Sequence, residues 1–233
     1  MSTEFPPSRP DAGAATRLQI LATEHWSLLA TRSLTYTESL ARVNIFLAIL
    51  SGAMIALALI AQVDHFGPAF SAVAIPLLVV VAFTGVSTIS RLEALNRDDY
   101  RWVIGMNRLR HAYLELHPEI EPYLTTSPYD DLAGALVTLG VDTRAEQRIG
   151  SFFRHLPVTL PGMLTVVVAA LGAAIVALVA IALGSPRWGI ASAAAAGFIV
   201  TYVLLAISGR RAVRDVPPSV QPRFPSPGAP ASR

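Results

Sequence analysis

The sequence predicts an all-α polytopic membrane protein with four transmembrane helices and cytoplasmic helical extensions. Three observations predict it. Of 233 residues, 53% are hydrophobic and only 15% charged, far from the balance of a soluble domain. The charges are also segregated, with no Asp, Glu, Arg or Lys in residues 43–63, 66–90, 156–186 or 188–209. Each of these stretches is long enough to cross a hydrocarbon core of ~30 Å, which takes about 20 helical residues. Four stretches with so little polar relief argue against the core helices of a soluble bundle. Finally, all 18 basic residues are arginine, and the short loops at 64–69 and 185–187 hold only Arg187. The others precede the first span, separate the second from the third, or follow the fourth. The positive-inside rule therefore predicts cytoplasmic termini and a cytoplasmic middle segment.

Residues 1–13, with three prolines, read as a loose tail. Residues 14–42 contain neither Pro nor Gly. Leu18, Leu21, Leu28 and Leu29 share one side of that helix, whose polar face is too weakly basic for a membrane-surface helix. It is expected to run directly into the first span, 43–63. Charges throughout the first 40 residues, without a short apolar core, predict an uncleaved first span rather than a cleavable signal. Ser51, Gly52, Ala53 and Ala56 form a small-residue pattern that admits a close helix neighbour. Gly67-Pro68 marks the outer turn.

The second span, 70–90, carries Pro76, expected to kink it. Its inner half holds Thr84, Ser87 and Thr88 leading to Arg91, a polar stripe that makes these four the candidate pore-lining residues. Hydroxyls on a helix more simply bond back to its own carbonyls.

The middle segment, 91–155, opens with a long helix ended by Pro118. Leu92, Leu95, Trp102, Met106, Leu109, Tyr113 and Leu116 form its apolar stripe, with Asp99 the single charge on it, and the opposite face is rich in arginine. Ser127-Pro128-Tyr129-Asp130 has the chemistry of a helix start and predicts a helix over 128–139, stopped by Gly140. A further helix is expected over 143–155, delivering Phe152-Phe153 to the membrane surface. Spans three and four, 161–184 and 188–208, are rich in Ala and Gly, and Trp188 suits an interface. Residues 213–233, with six prolines, read as a disordered tail dispensable for folding.

If the first two spans form an antiparallel hairpin, their polar extensions run side by side. Asp99 has no Arg three or four residues away on its own helix, so an unpaired buried carboxylate there would be costly. Counting 1.5 Å per residue from Arg42 and Arg91 puts Asp99 opposite residue 34, with Arg32 within about one turn of it; the alternative is a solvated Asp99 at the edge of the stripe. The same count expects Glu24 to meet Arg108 or Arg110.

RWVIGMNRLR at Arg101–Arg110, followed by HAYLELHPEIEPYL, and WSLLATRSLTY at Trp26–Tyr36, resemble a group of uncharacterised bacterial four-span integral membrane proteins with a cytoplasmic helical middle segment. The resemblance covers about residues 20–210. It implies the architecture only, with no activity, cofactor or catalytic residue to carry over. The expected location is the bacterial inner (plasma) membrane.

Functional chemistry is sparse. The absence of cysteine excludes disulfides and thiolate metal sites, and no charge lies inside a span to mark a proton path. His111, Glu115 and His117 have metal-like spacing, but Arg108 and Arg110 oppose a cation, so no metal is expected. No cofactor or catalytic set is expected either. Glu93, Asp98, Asp99 and Glu115 dilute the basic character of the middle, which disfavours nucleic acid as a partner. The expected partners are the lipid bilayer and either a second copy or another membrane protein. The expected role is non-enzymatic assembly, with an oligomeric channel lined by the second span as the alternative.

Overall fold

The structure, a computed structural model, describes residues 12–140, 159–214 and 221–227. All regular structure among them is helical. In chain order the elements are α1 (Ala12–Asp64), α2 (Pro68–Leu116), a 3-10 helix (Pro118–Tyr123), α3 (Leu132–Thr138), α4 (Leu160–Ala182) and α5 (Arg187–Arg214). Helices α1, α2, α4 and α5 each contain a stretch long and apolar enough to cross a membrane. The protein is thus an all-α, multi-pass membrane protein.

The expected boundaries at residues 42 and 90 mark changes of composition without a break in the helix. No Pro or Gly stands near either, and α2 continues unbroken through Pro76. The expected helix at 143–155, with Phe152-Phe153, lies outside the described residues, as does most of the predicted tail at 1–13.

The chain divides into two compact units. The apolar unit comprises Tyr36–Arg97 and Glu146–Val216. Its core joins Phe46, Ala53 and Leu57 of α1 to Phe70, Leu78, Val81, Ile89, Leu92 and Leu95 of α2 and to Leu164, Val168 and Leu171 of α4. The turn between α1 and α2 uses left-handed backbone at His65 and Phe66, with φ of 48° and 62°. Asp64 holds that turn by accepting from the Phe70 amide at 2.6 Å. Thr159 caps α4 through the Gly162 amide at 3.2 Å. Helices α4 and α5 approach closely at Gly172, where a Cβ would collide with the Thr201 hydroxyl. Gly52, by contrast, faces open space, with no atom within 4 Å of where its Cβ would stand. Ala53 beside it turns into the core.

The polar unit comprises Met1–Thr35, Asp98–Ala145 and Pro217–Arg233. Here α2 buries two faces. One meets α1, with Leu28 against Gly105 and His25 stacked on Tyr113 at 6.0 Å. The other packs Val103, Ile104 and Met106 against Ala135 of α3. Pro118 disfavours the helical conformation at the residue before it, and His117, at φ −144° and ψ 78°, ends α2.

The expected helix over 128–139 is corrected to 132–138. Asp131, not Ser127, is its cap, accepting from the Gly134 amide at 2.8 Å. Ser127 instead accepts from the Tyr129 amide at 3.1 Å, which makes a local turn. The turn is preferred because Asn107 and Arg108 of α2 hold the Tyr129 carbonyl and the Asp130 carboxylate, contacts made to the turn and not to a continued helix.

Since Gly172 is in contact and Gly52 is not, their substitutions should separate. Gly172→Val is expected to lower the melting temperature in detergent by several degrees, the usual consequence of overpacking by about 1–3 kcal/mol. Gly52→Ala should leave it unchanged or slightly higher, because glycine is the poorer helix former.

Candidate functional site

The most elaborate polar site lies in the polar unit, around Asn107 and Asp130. Asn107 projects from α2 and is fully buried. Its Nδ2 donates to the Tyr129 carbonyl at 2.7 Å, while its Oδ1 accepts from Arg110 Nη1 at 2.8 Å and Thr138 Oγ1 at 2.9 Å. This amide ties the 127–131 turn and the end of α3 to α2. Gly134 completes the fit, since a Cβ there would strike the Tyr129 carbonyl.

The turn presents Asp130, whose side chain is 0% exposed. Its carboxylate accepts from Arg108 Nε at 2.7 Å, from the Arg223 amide at 2.9 Å and from the Phe224 amide at 2.7 Å. The Asp130 amide in return donates to the Phe224 carbonyl at 3.1 Å. Arg108 Nη2 donates to the Gln221 carbonyl at 2.8 Å. Asp131 accepts from the Ser226 amide at 3.0 Å and from the Ser226 hydroxyl. The Phe224 ring stacks on His111 at 4.1 Å.

The expectation that 213–233 is a disordered tail is therefore corrected at 221–227, and α5 itself extends to Arg214. Two carboxylates and one aromatic contact supply what a proline-rich composition hides.

The charge states follow from these contacts. Burial pushes the Asp130 carboxyl up, but the Arg223 amide, the Arg108 guanidinium and the Phe224 amide together outweigh it and hold it below its ordinary value. Asp131 is likewise raised by burial and lowered further by Ser226 and the Gly134 amide. Burial and the charge of Arg110 push His25 down, which favours the neutral ring.

The predicted site residues are placed as follows. Arg32 Nε donates to Asp99 Oδ1 at 2.7 Å and Nη2 to Oδ2 at 3.3 Å, the pairing the register count expected. The second expected pairing is corrected, because Arg108 turns to Asp130 and Arg110 to Asn107. The outer pair is instead Arg17 Nη2 to Glu115 at 3.2 Å. Glu24 lines an open groove of about 460 Å³ with Gln19, Thr23 and Leu109.

In the apolar unit, Thr84 Oγ1 donates to the Val81 carbonyl at 2.7 Å and Thr88 Oγ1 to the Thr84 carbonyl at 2.8 Å. Both hydroxyl donors are thus spent on their own helix. Ser87 is exposed. Arg91 makes a forked pair with Glu38, whose carboxyl is held down at about 2 by the hydrogen bonds of Arg91 and Arg42.

The residues weighed for a metal are engaged elsewhere. His111 meets Phe224, Glu115 meets Arg17, and His117 Nδ1 lies 2.9 Å from Glu119.

Sequence reasoning missed Asn107, Asp130, Asp131 and Phe224 as a set. One signal was available: Phe224 is the single aromatic residue in a stretch of prolines and small polar residues. Comparison with protein-family models, with curated proteins and with solved structures found no match.

Chemically, the arrangement binds an extended backbone, because it presents paired acceptors to consecutive amides and an amide donor to a carbonyl. Three outcomes follow. Asp130→Asn should destabilise the protein by about 3 kcal/mol, since it removes one member of a buried pair and leaves Arg108 uncompensated; chemical denaturation in detergent measures this. Both carboxyls are depressed in the folded chain, so their contribution is complete above about pH 4, the unfolded value, and is lost as pH falls through the lower folded values. Amide protection at Arg223 and Phe224, corrected for intrinsic exchange, should accordingly hold from neutral pH to about pH 4 and fall below it. For Arg32→Leu and Asp99→Leu, a double-mutant cycle should return a coupling of about 1 kcal/mol, as expected for a partly exposed pair; strictly additive losses would reject the pairing.

Proposed function

We propose that this is a non-enzymatic protein of the plasma membrane, with both termini and the middle segment cytoplasmic, which assembles with itself or with a membrane partner through its polar helices. The observation that carries this reading is the outer face of α1 in the polar unit. Leu18, Trp26 and Leu29 are 40%, 71% and 42% exposed, and with Ala22 between them they follow the 4-4-3 spacing of a helix-packing seam. They precede the charge-free span, so lipid contact does not account for them. The face toward α2 is already filled by Leu28, His25 and Arg32. An apolar row with aromatic character on an exposed helix is typical of an interaction surface.

Particle mass in detergent tests the reading. The native protein should run as an oligomer or with a stoichiometric partner, and Trp26→Glu combined with Leu29→Glu should dissociate it without loss of helical content. A native particle that is monomeric and partner-free would overturn it. Ion flux from proteoliposomes that changes with Thr84→Val would favour the channel alternative instead. For orientation, single cysteines in this cysteine-free chain should label from outside at Gly67 and Ser185 and not at Ser127. Labelling of Ser127 by an impermeant reagent in intact cells would reverse the topology.

A further inference from the structure

We propose that the groove formed by α2, the 127–131 turn and α3 is a peptide-recognition site for an extended Arg-Phe-Pro-Ser segment, and that residues 221–227 are its tethered and displaceable ligand. The inference is independent of the assembly reading, since it concerns a different face of the polar unit.

Most of the recognition is directed at backbone. The amides of Arg223, Phe224 and Ser226 and the carbonyls of Gln221 and Phe224 all bond to groove residues. Among the described residues, side chains of the segment are read at two places, the Phe224 ring on His111 and the Ser226 hydroxyl on Asp131. Pro222, Pro225 and Pro227 fall where the segment's nitrogen is not used as a donor. They hold the peptide extended before it binds, which reduces the entropy lost on docking. This is the logic of short extended motifs that dock by main-chain pairing with a few side-chain pockets.

The groove is built to persist when the segment leaves. Asn107 holds Tyr129, Ser127 holds the Tyr129 amide, and Asp131 caps α3 through Gly134, all without the segment. The segment itself is shallow, with Gln221, Pro222, Arg223, Pro225 and Pro227 exposed. A ligand held mainly by polar contacts at the surface, on a preformed receptor, opens at low cost. Its departure would leave the Asp130 carboxylate with Arg108 and ready for another peptide of the same chemistry. The resident segment then acts as an intramolecular competitor, at an effective concentration set by its tether.

The test uses the full chain in detergent and the same chain with a protease site placed within residues 215–220, cut after folding. The probe is a fluorescent synthetic peptide of sequence QPRFPSPG. The cut chain should release its own segment on addition of probe and bind the probe. The intact chain should bind it at least about tenfold more weakly, because the tethered copy competes. Probes with Phe224→Ala or Ser226→Asp should bind roughly tenfold weaker or worse, the loss expected for one ring contact or for a like charge set against Asp131. A cut segment that excess probe never displaces would overturn the proposal, as would a cut chain of unchanged helical content that fails to bind the probe. A second variant needs no cleavage. Ser226→Asp in the full-length chain should raise probe binding toward that of the cut chain, and unchanged binding would count equally against displacement.

Discussion

A carboxylate removed from water must be answered by donors, and the polar unit is organised by the answer given to Asp130. Its charge is met by one guanidinium and two backbone amides, a combination that outweighs the cost of burial. Each donor fixes something else. Arg108 sets the register of the turn against α2, and the amides of Arg223 and Phe224 bring a distant stretch of chain onto the same surface. Asn107 lies one residue before Arg108 on α2 and spends its amide on Tyr129, Arg110 and Thr138. With three of that amide's four hydrogen-bonding positions used, the turn and the end of α3 are both fixed to α2.

The ion pairs between α1 and α2 play a lesser role. Arg17–Glu115 and Arg32–Asp99 in the polar unit, and Glu38–Arg91 in the apolar one, are all partly exposed. Exposed pairs of this kind add little to stability, because water screens them. Their value is in specifying register, because a shift of one turn would part Arg32 from Asp99 and Glu38 from Arg91. The apolar contacts beneath them, such as Leu28 against Gly105, supply more of the binding between the helices but distinguish neighbouring registers less sharply.

The two units solve different packing problems. In the apolar unit, small residues decide how near helices come, and Gly172 against Thr201 brings α4 and α5 closer than any larger residue would allow. The large exposed side chains there match a hydrocarbon surround, where exposure of Leu, Val and Phe carries no penalty. In the polar unit the exposed Trp26 and Leu29 precede the charge-free stretch of α1. The same kind of residue therefore means different things on α1, according to whether it lies within the charge-free span or before it.

The sequence by itself determined the number of helices able to cross a membrane, the hairpin turn at Gly67-Pro68 and the end of α2 at Pro118, and it offered Arg32, within a turn of Asp99, as that carboxylate's partner. These depend on local rules: a run of apolar residues of sufficient length, a proline that disfavours helix before it, and a constant rise per residue that keeps two adjacent helices in step. Only the tertiary structure decided the start of α3, the destination of Arg108 and Arg110, and the docking of residues 221–227. At Ser127-Pro128 the local signals for a helix were sound, but they were outweighed by the contacts that Asn107 and Arg108 of α2 make with Tyr129 and Asp130. Proline-rich composition correctly says that residues 221–227 form no helix. It is silent on whether their amides find acceptors, because backbone donors are the same in every sequence and only the fold places a carboxylate before them.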